Sequence, residues 1–352
     1  MLRPHPLIAI TCLLAATATC TPALAWDAVG HRAIAWLAID GLDASAPAFL
    51  KEKDAAHSTA WQAAEPDRWR NIKSPQYLAH ENNPDHYLDI EDLEKFGLTL
   101  STVPPLRMRY VAAMAVQRHV HPKGPNDDHA PYNPKMDPSG QQEWPGFLPH
   151  AIVEHHGKLV STFKTYRTLE KLNDPVRIPQ LAMTRANIMV EMGVMAHFVG
   201  DAAQPLHTTQ HHHGWIGDNP KGYTTDRGFH SYIDGKVLEL HKLDYHVLKP
   251  GQKYEAKIEG GDPWEAVIAH IQRSYDKMVP LYEMEKSGEL KKDEGKVFIT
   301  ERLHDAAAML AALYNHAWQA SEITDQDVKD FLRYDHFEAK QLPAGPASPG
   351  KP

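Results

Sequence analysis

The sequence predicts an all-α fold, on three observations. Long stretches carry apolar residues at the three-to-four-residue spacing that gives a helix one buried face. Alternation of apolar and polar residues, the mark of a half-buried strand, is almost absent. Proline- and glycine-rich stretches fall between the periodic segments, where they break them. Residues 31–42 read as the first helix, with Ile34, Leu37 and Ala38 on one face. Residues 61–71 form a short helical or turn segment broken by Pro66, and 72–92 a loop broken by Pro75 and Pro84. Residues 106–119 are apolar at helical spacing, and 121–149, rich in Pro, Gly, Asp and Asn, read as a long surface loop. Residues 151–172 and 178–199 carry strong helical patterns, the second ending near Pro205. A polar loop at 208–228 contains His211, His212 and His213, which read as solvated, and helix returns at 228–240. Two amphipathic helices, 264–283 and 297–320, follow, and a Pro/Gly-rich tail at 341–352 is expected to be disordered.

Residues 1–25 read as a signal peptide. Arg3 gives the positive start, residues 7–18 the apolar stretch, and Ala23-Leu24-Ala25 a small-residue cleavage site. The apolar stretch is too short to span a bilayer, and no later stretch is long and apolar enough either. The expected product is one domain at 26–340, secreted or periplasmic and without an integral membrane segment. It carries an extra segment near 95–150. Both cysteines, Cys12 and Cys20, lie in the leader, so no disulfide holds the mature chain. A net charge of −8 argues against a broad basic surface for nucleic acid. It leaves open an enzyme whose positive charge is bound metal.

The chain has 23 histidines, several beside aspartates at regular spacings, and that combination without thiolate points to zinc in a hydrolytic site. His197 and Asp201, four apart on a helix, share a face and can converge on one ion. Pro205 then ends the helix and turns His207 towards a neighbouring site. His230 and Asp234 repeat the pair, and Asp67 and His86 are further candidates. One such pair is common on solvated helices; two within forty residues are not. His155 and His156, adjacent on a helix, point in different directions and read as surface or supporting residues.

In order along the chain stand Trp26-Asp-Ala-Val-Gly-His31, Asp67-x-x-Arg70, His86-Tyr87-Leu88-Asp89, His197-Phe-Val-Gly-Asp201, Gln204-Pro-Leu-His207 and Phe229-His230-x-x-x-Asp234. This series resembles the S-one/P-one nuclease family, zinc-dependent single-strand nucleases related by fold to bacterial phospholipase C. The resemblance implies three zinc ions. One would be held by Asp67, His86, His197 and Asp201. A close neighbour would be held by Asp201, His31 and the freed α-amine and carbonyl of Trp26. The third would be held by His207, His230 and Asp234. The α-amine exists only after cleavage before Trp26, and its ordinary pKa of about 7.7–8.0 lets it bind metal near neutral pH.

The resemblance further implies endonucleolytic hydrolysis of single-stranded DNA and RNA to 5′-phosphorylated products by a hydroxide held between paired zincs. Arg70 would neutralise the transition state. Asp89 would act as base or orient the nucleophile, or instead fix a ligating histidine. Tyr87 would contact the substrate, or serve as a core ring. The spacing of Trp26 and His31, the final Asp234 and the Asp67–Arg70 spacing favour nucleic acid; phospholipid headgroup esters are the alternative substrate. A non-catalytic zinc-binding protein is a third reading. The chain is expected to act as a monomer.

Overall fold

Helix α7 (Ile178–Ala203) is the axis of the molecule because its second half has no polar face to leave in water. Every residue from 192 to 203 is buried, and a helix apolar all round must be enclosed by others. Around it pack α1 (Ala28–Asp40), α2 (Lys53–Gln62), α6 (Leu148–Leu172), α11 (Pro263–Tyr275) and α13 (Asp293–Gln319). The structure, a computed structural model, describes residues 26–71, 74–120, 144–251, 254, 258 and 261–335. The expected leader, most of the loop expected at 121–149 and the expected tail lie outside these residues.

The fold is all-α, with no strand among the described residues. None of these helices is long and apolar enough to cross a membrane. The stretch expected to be a loop at 72–92 is largely helical: α4 (Gln76–Asn82) runs into a 3-10 turn (Asn83–His86). Pro75 and Pro84 sit at the starts of these elements, where a missing N–H costs nothing. Pro66 likewise lies in the first turn of α3 (Glu65–Asn71), after α2 has ended. The single helix expected at 264–283 is two, α11 and α12 (Met278–Ser287), and Pro280 falls in the first turn of the second. Helix α5 (Arg107–Val120) belongs to the extra segment and turns Tyr110 and Met114 into the core.

Two features position the site. Asp27 caps α1, accepting from the Val29 and Gly30 amides, and fixes the chain between Trp26 and His31. The extended segment 87–90 is hydrogen-bonded on both sides. Leu88 N and Ile90 N donate to the carbonyls of His207 and Thr208, at 2.9 and 3.3 Å. Asp89 N donates to Pro145 O at 2.7 Å, and Tyr87 O accepts from Leu148 N at 3.2 Å. Gly146, at φ +109°, makes this approach possible, since a Cβ there would collide with the Tyr87 carbonyl.

Candidate metal centre

Eight buried histidine and aspartate side chains meet where α1, α3 and the end of α7 approach the turns at 83–86 and 205–207. They form three groups: His31, His197 and Asp201; Asp67, His86 and His197; and His207, His230 and Asp234. In each, the candidate ligand atoms lie within 4.8 Å of one another.

The first two groups share α7. Asp201 Oδ1 lies 3.4 Å from His31 Nε2, while its Oδ2 lies 3.1 Å from His86 Nδ1 and 3.4 Å from His197 Nε2. His86 Nδ1 and His197 Nε2 are 3.0 Å apart, and Asp67 Oδ1 lies 4.0 and 3.9 Å from them. Donors on one tetrahedral zinc, each about 2.0–2.1 Å from the ion, stand about 3.3 Å apart. His197 donates from Nδ1 to the Ala63 carbonyl at 2.9 Å, which leaves the Nε2 lone pair facing the group. The His31 ring stacks on His197 with centroids 3.9 Å apart. Glycine is required at 200, because a Cβ there would come within 2.7 Å of His31 Nδ1.

Trp26 is fully buried, and its indole Nε1 donates to the Gly200 carbonyl at 2.9 Å. Its side chain therefore ties the start of α1 to the residue before Asp201, an anchoring role the sequence alone did not reveal.

The third group is built on shorter elements. His207 ends a 3-10 turn (Pro205–His207), and its Nδ1 donates to the His86 carbonyl at 2.5 Å. Its Nε2 is buried and makes no hydrogen bond. His230 lies in α8 (Phe229–Ser231), and Asp234 in the π turn (Tyr232–Lys236) that follows. Such turns are frequent at functional sites. His230 Nε2 and Asp234 Oδ2 are 3.4 Å apart, and neither makes a hydrogen bond. Gln204 fixes the other carboxylate oxygen of Asp234 at 2.7 Å and caps the turn through Leu206 N at 2.6 Å. Asp27 N also donates to the Asp234 carbonyl.

Electrostatics follow from burial. Desolvation pushes Asp67 up to about 7, against the pull of Arg70, and holds Asp201 and Asp234 well above the carboxylate range. The same burial pulls His207 down to about 3 and His86, His197 and His230 well below their usual value. Neutral imidazoles beside buried carboxyls, with Asp201 and Asp234 Oδ2 lacking hydrogen bonds, are a donor set that a divalent cation completes. The residues fit a divalent metal ion.

The other predicted residues lie at the rim. Arg70 stands 3.8 Å from Asp67, its side chain partly exposed. Asp89 Oδ1 is buried without a hydrogen bond and lies 3.6 Å from His212 Nδ1. Tyr87 is half-buried, its ring next to the Gly146 backbone.

The histidine run corrects an expectation: it is not a solvated loop. His211 is buried and stacks on Trp215 with centroids 4.0 Å apart. The His213 ring lies 5.4 Å from His230 and 4.6 Å from His212. His212 thus neighbours both Asp89, at 3.6 Å, and the His230 ring, at 6.1 Å between centroids. Burial pulls His212 down, but the carboxylate of Asp89 beside it outweighs this and leaves His212 raised. His156 pairs with His316 at 3.0 Å and His155 with Glu191 at 2.7 Å, both outside the three groups.

Comparison of the chain with family models, with curated proteins and with solved structures gives no match.

Proposed function

We propose that this chain is a zinc-dependent phosphodiesterase that cuts single-stranded DNA and RNA internally, leaving 5′-phosphorylated products. One observation carries the reading: eight buried His and Asp donors, in three groups of ligand spacing, with an arginine at their rim. The motif series resembling the single-strand nucleases selects phosphodiesters among the esters such donors serve. Three zinc ions are proposed. Asp67, His86, His197 and Asp201 would hold one, and Asp201 with His31 and the Trp26 backbone its neighbour. His207, His230 and Asp234 would hold the third.

Bound zinc makes hydroxide available near neutral pH and withdraws charge from phosphoryl oxygens. The chain's own groups do the rest. Arg70 offers a fixed positive charge to the phosphoryl oxygens as negative charge builds there. Asp89 Oδ1, free of hydrogen bonds, takes a proton, and its neighbour His212 fixes where that carboxylate sits. His207 and His197, held through Nδ1, keep Nε2 turned inward. Export with removal of residues 1–25 belongs to the same proposal, since it frees the Trp26 amine.

The test is a parallel assay of the processed protein on denatured DNA, RNA and phosphatidylcholine. Cleavage of both nucleic acids, abolished by chelation, is expected. Release of phosphocholine with the strands left intact would transfer the reading to a phospholipase. No hydrolysis of any of the three would end both.

A further inference from the structure

Trp61, near the end of α2, is 49 % exposed although large and aromatic. Two guanidinium groups lie over its ring: Arg68 at 4.4 Å and Arg32 at 5.1 Å from the centroid. Each arginine directly follows a member of the metal centre, Arg32 after His31 and Arg68 after Asp67. Ala63, whose carbonyl takes the His197 Nδ1 hydrogen, lies two residues after Trp61. The patch therefore neighbours two of the donors in sequence and reaches a third, His197, through the Ala63 carbonyl. Val29, 48 % exposed, stands one turn before Arg32 on α1 and continues the same face.

The two arginines are not equivalent. Arg68 is held by Glu65 and by the Trp61 carbonyl, at 2.8 Å, so its plane is fixed. Arg32 Nε is buried and makes no hydrogen bond. In a chain of net charge −8, two arginines on one aromatic ring concentrate positive charge, with Glu65 offsetting that of Arg68 and Arg32 left as the uncompensated one. An aromatic ring extended by guanidinium planes suits a ligand that combines flat bases with regular negative charge. It does not suit a quaternary ammonium headgroup, which would seek an aromatic face not already taken by cations.

We propose that Arg32, Trp61 and Arg68 form a docking platform for the single strand where it extends beyond the cut. Bases stack on the Trp61–guanidinium surface and a phosphate pairs with Arg32. This inference rests on the nuclease reading above. It deepens it by making the preferred substrate a strand of several nucleotides and not a dinucleotide.

The experiment measures binding of fluorescein-labelled oligothymidylate, twelve nucleotides long, to the chelated full-length processed protein by anisotropy, beside hydrolysis by the zinc-loaded form. Trp61→Ala is expected to weaken binding by about tenfold, the size of one base–aromatic stack, and Trp61→Phe to restore it to within about twofold. Arg32→Gln should lower the salt slope by about 0.7, one phosphate contact on a single strand. In hydrolysis, Trp61→Ala should raise KM on the twelve-nucleotide strand more than on a dinucleotide, with kcat and zinc content held. Equal affinity of the Ala variant and the parent, with the parent active on single strands, overturns the platform and leaves the nuclease reading standing. A parent that neither binds nor cuts single strands overturns that reading itself. Loss of binding to phosphatidylcholine vesicles in Trp61→Ala, with oligonucleotide binding unchanged, assigns the surface to lipid and overturns the platform.

Discussion

The groups around Asp201 and the group around Asp234 use the same side chains on different foundations. His31, Asp67, His197 and Asp201 stand on α1, α3 and α7, where helical geometry sets their spacing, and His86 alone of that region stands on a 3-10 turn. His207, His230 and Asp234 stand on a 3-10 turn, a three-residue helix and a π turn. Hydrogen bonds between remote segments help hold those three together: His207 to the His86 carbonyl, Leu88 N to the His207 carbonyl, and Gln204 and the Asp27 amide to Asp234. Most of the first region stands on long helices that belong to the core. The second is positioned by a few polar contacts and should yield more readily to single changes outside its donors.

The largest effect is expected from Asp201→Asn. Its two oxygens face His31 on one side and His86 and His197 on the other, so one change removes a donor from both shared groups. Activity should fall by at least about a thousandfold, beyond the loss of one transition-state contact, with more than one zinc lost by elemental analysis. Retention of full zinc would break the claim that the two groups share this carboxylate.

Gln204→Ala probes the weaker foundation. It frees Asp234 Oδ1 and uncaps the turn that carries His207. Zinc affinity of the third group should fall about 10–100-fold, as for loss of a partner behind a metal ligand, while the other ions stay. Competitive chelator titration separates the two. Equal loss from all groups would show that the regions are not independent.

The smallest effect lies outside both. His156, between α6 and α13, is lowered to about 4 by burial and by its partner His316. Its folded value is depressed below the unfolded value of about 6.5, so the unfolded chain binds the extra proton between these limits. The stability from keeping His156 neutral is complete above pH ~6.5 and is lost as pH falls towards 4. His156→Gln should reduce the fall in Tm between pH 7 and 5 by ~3 °C or more, with zinc content at pH 7 unchanged. An identical pH profile would remove this contribution.

What the sequence disclosed follows the same division. The α7 pair was legible because His197 and Asp201 are four apart on a helix with an apolar repeat. Asp67 and His86 carried little spacing signal; they stood as further candidates, and the ordered motif series assigned them a place. The buried Trp26 indole, the Ala63 carbonyl and the Gln204 amide depend on which remote segments meet, which no local pattern records. His211–His213 looked polar and loop-like, yet the run is packed against Trp215 and His230. Helix α14 (Asp325–Asp335) was missed although its start was marked: Thr324 and Asp327 exchange hydrogen bonds between side chain and backbone, the pattern of a capping box. Val328, Phe331 and Leu332 also stand at helical spacing, so the periodicity was there to be read, although the helix buries no residue.

The most direct test of the metal centre is zinc content by elemental analysis of the chain beginning at Trp26, beside the same chain with Ala25 retained. Three zinc ions per processed chain are expected, and fewer when the amine is blocked. One ion or none in the processed chain would contradict the trinuclear site, and equal counts in the two chains would contradict the role given to the Trp26 amine.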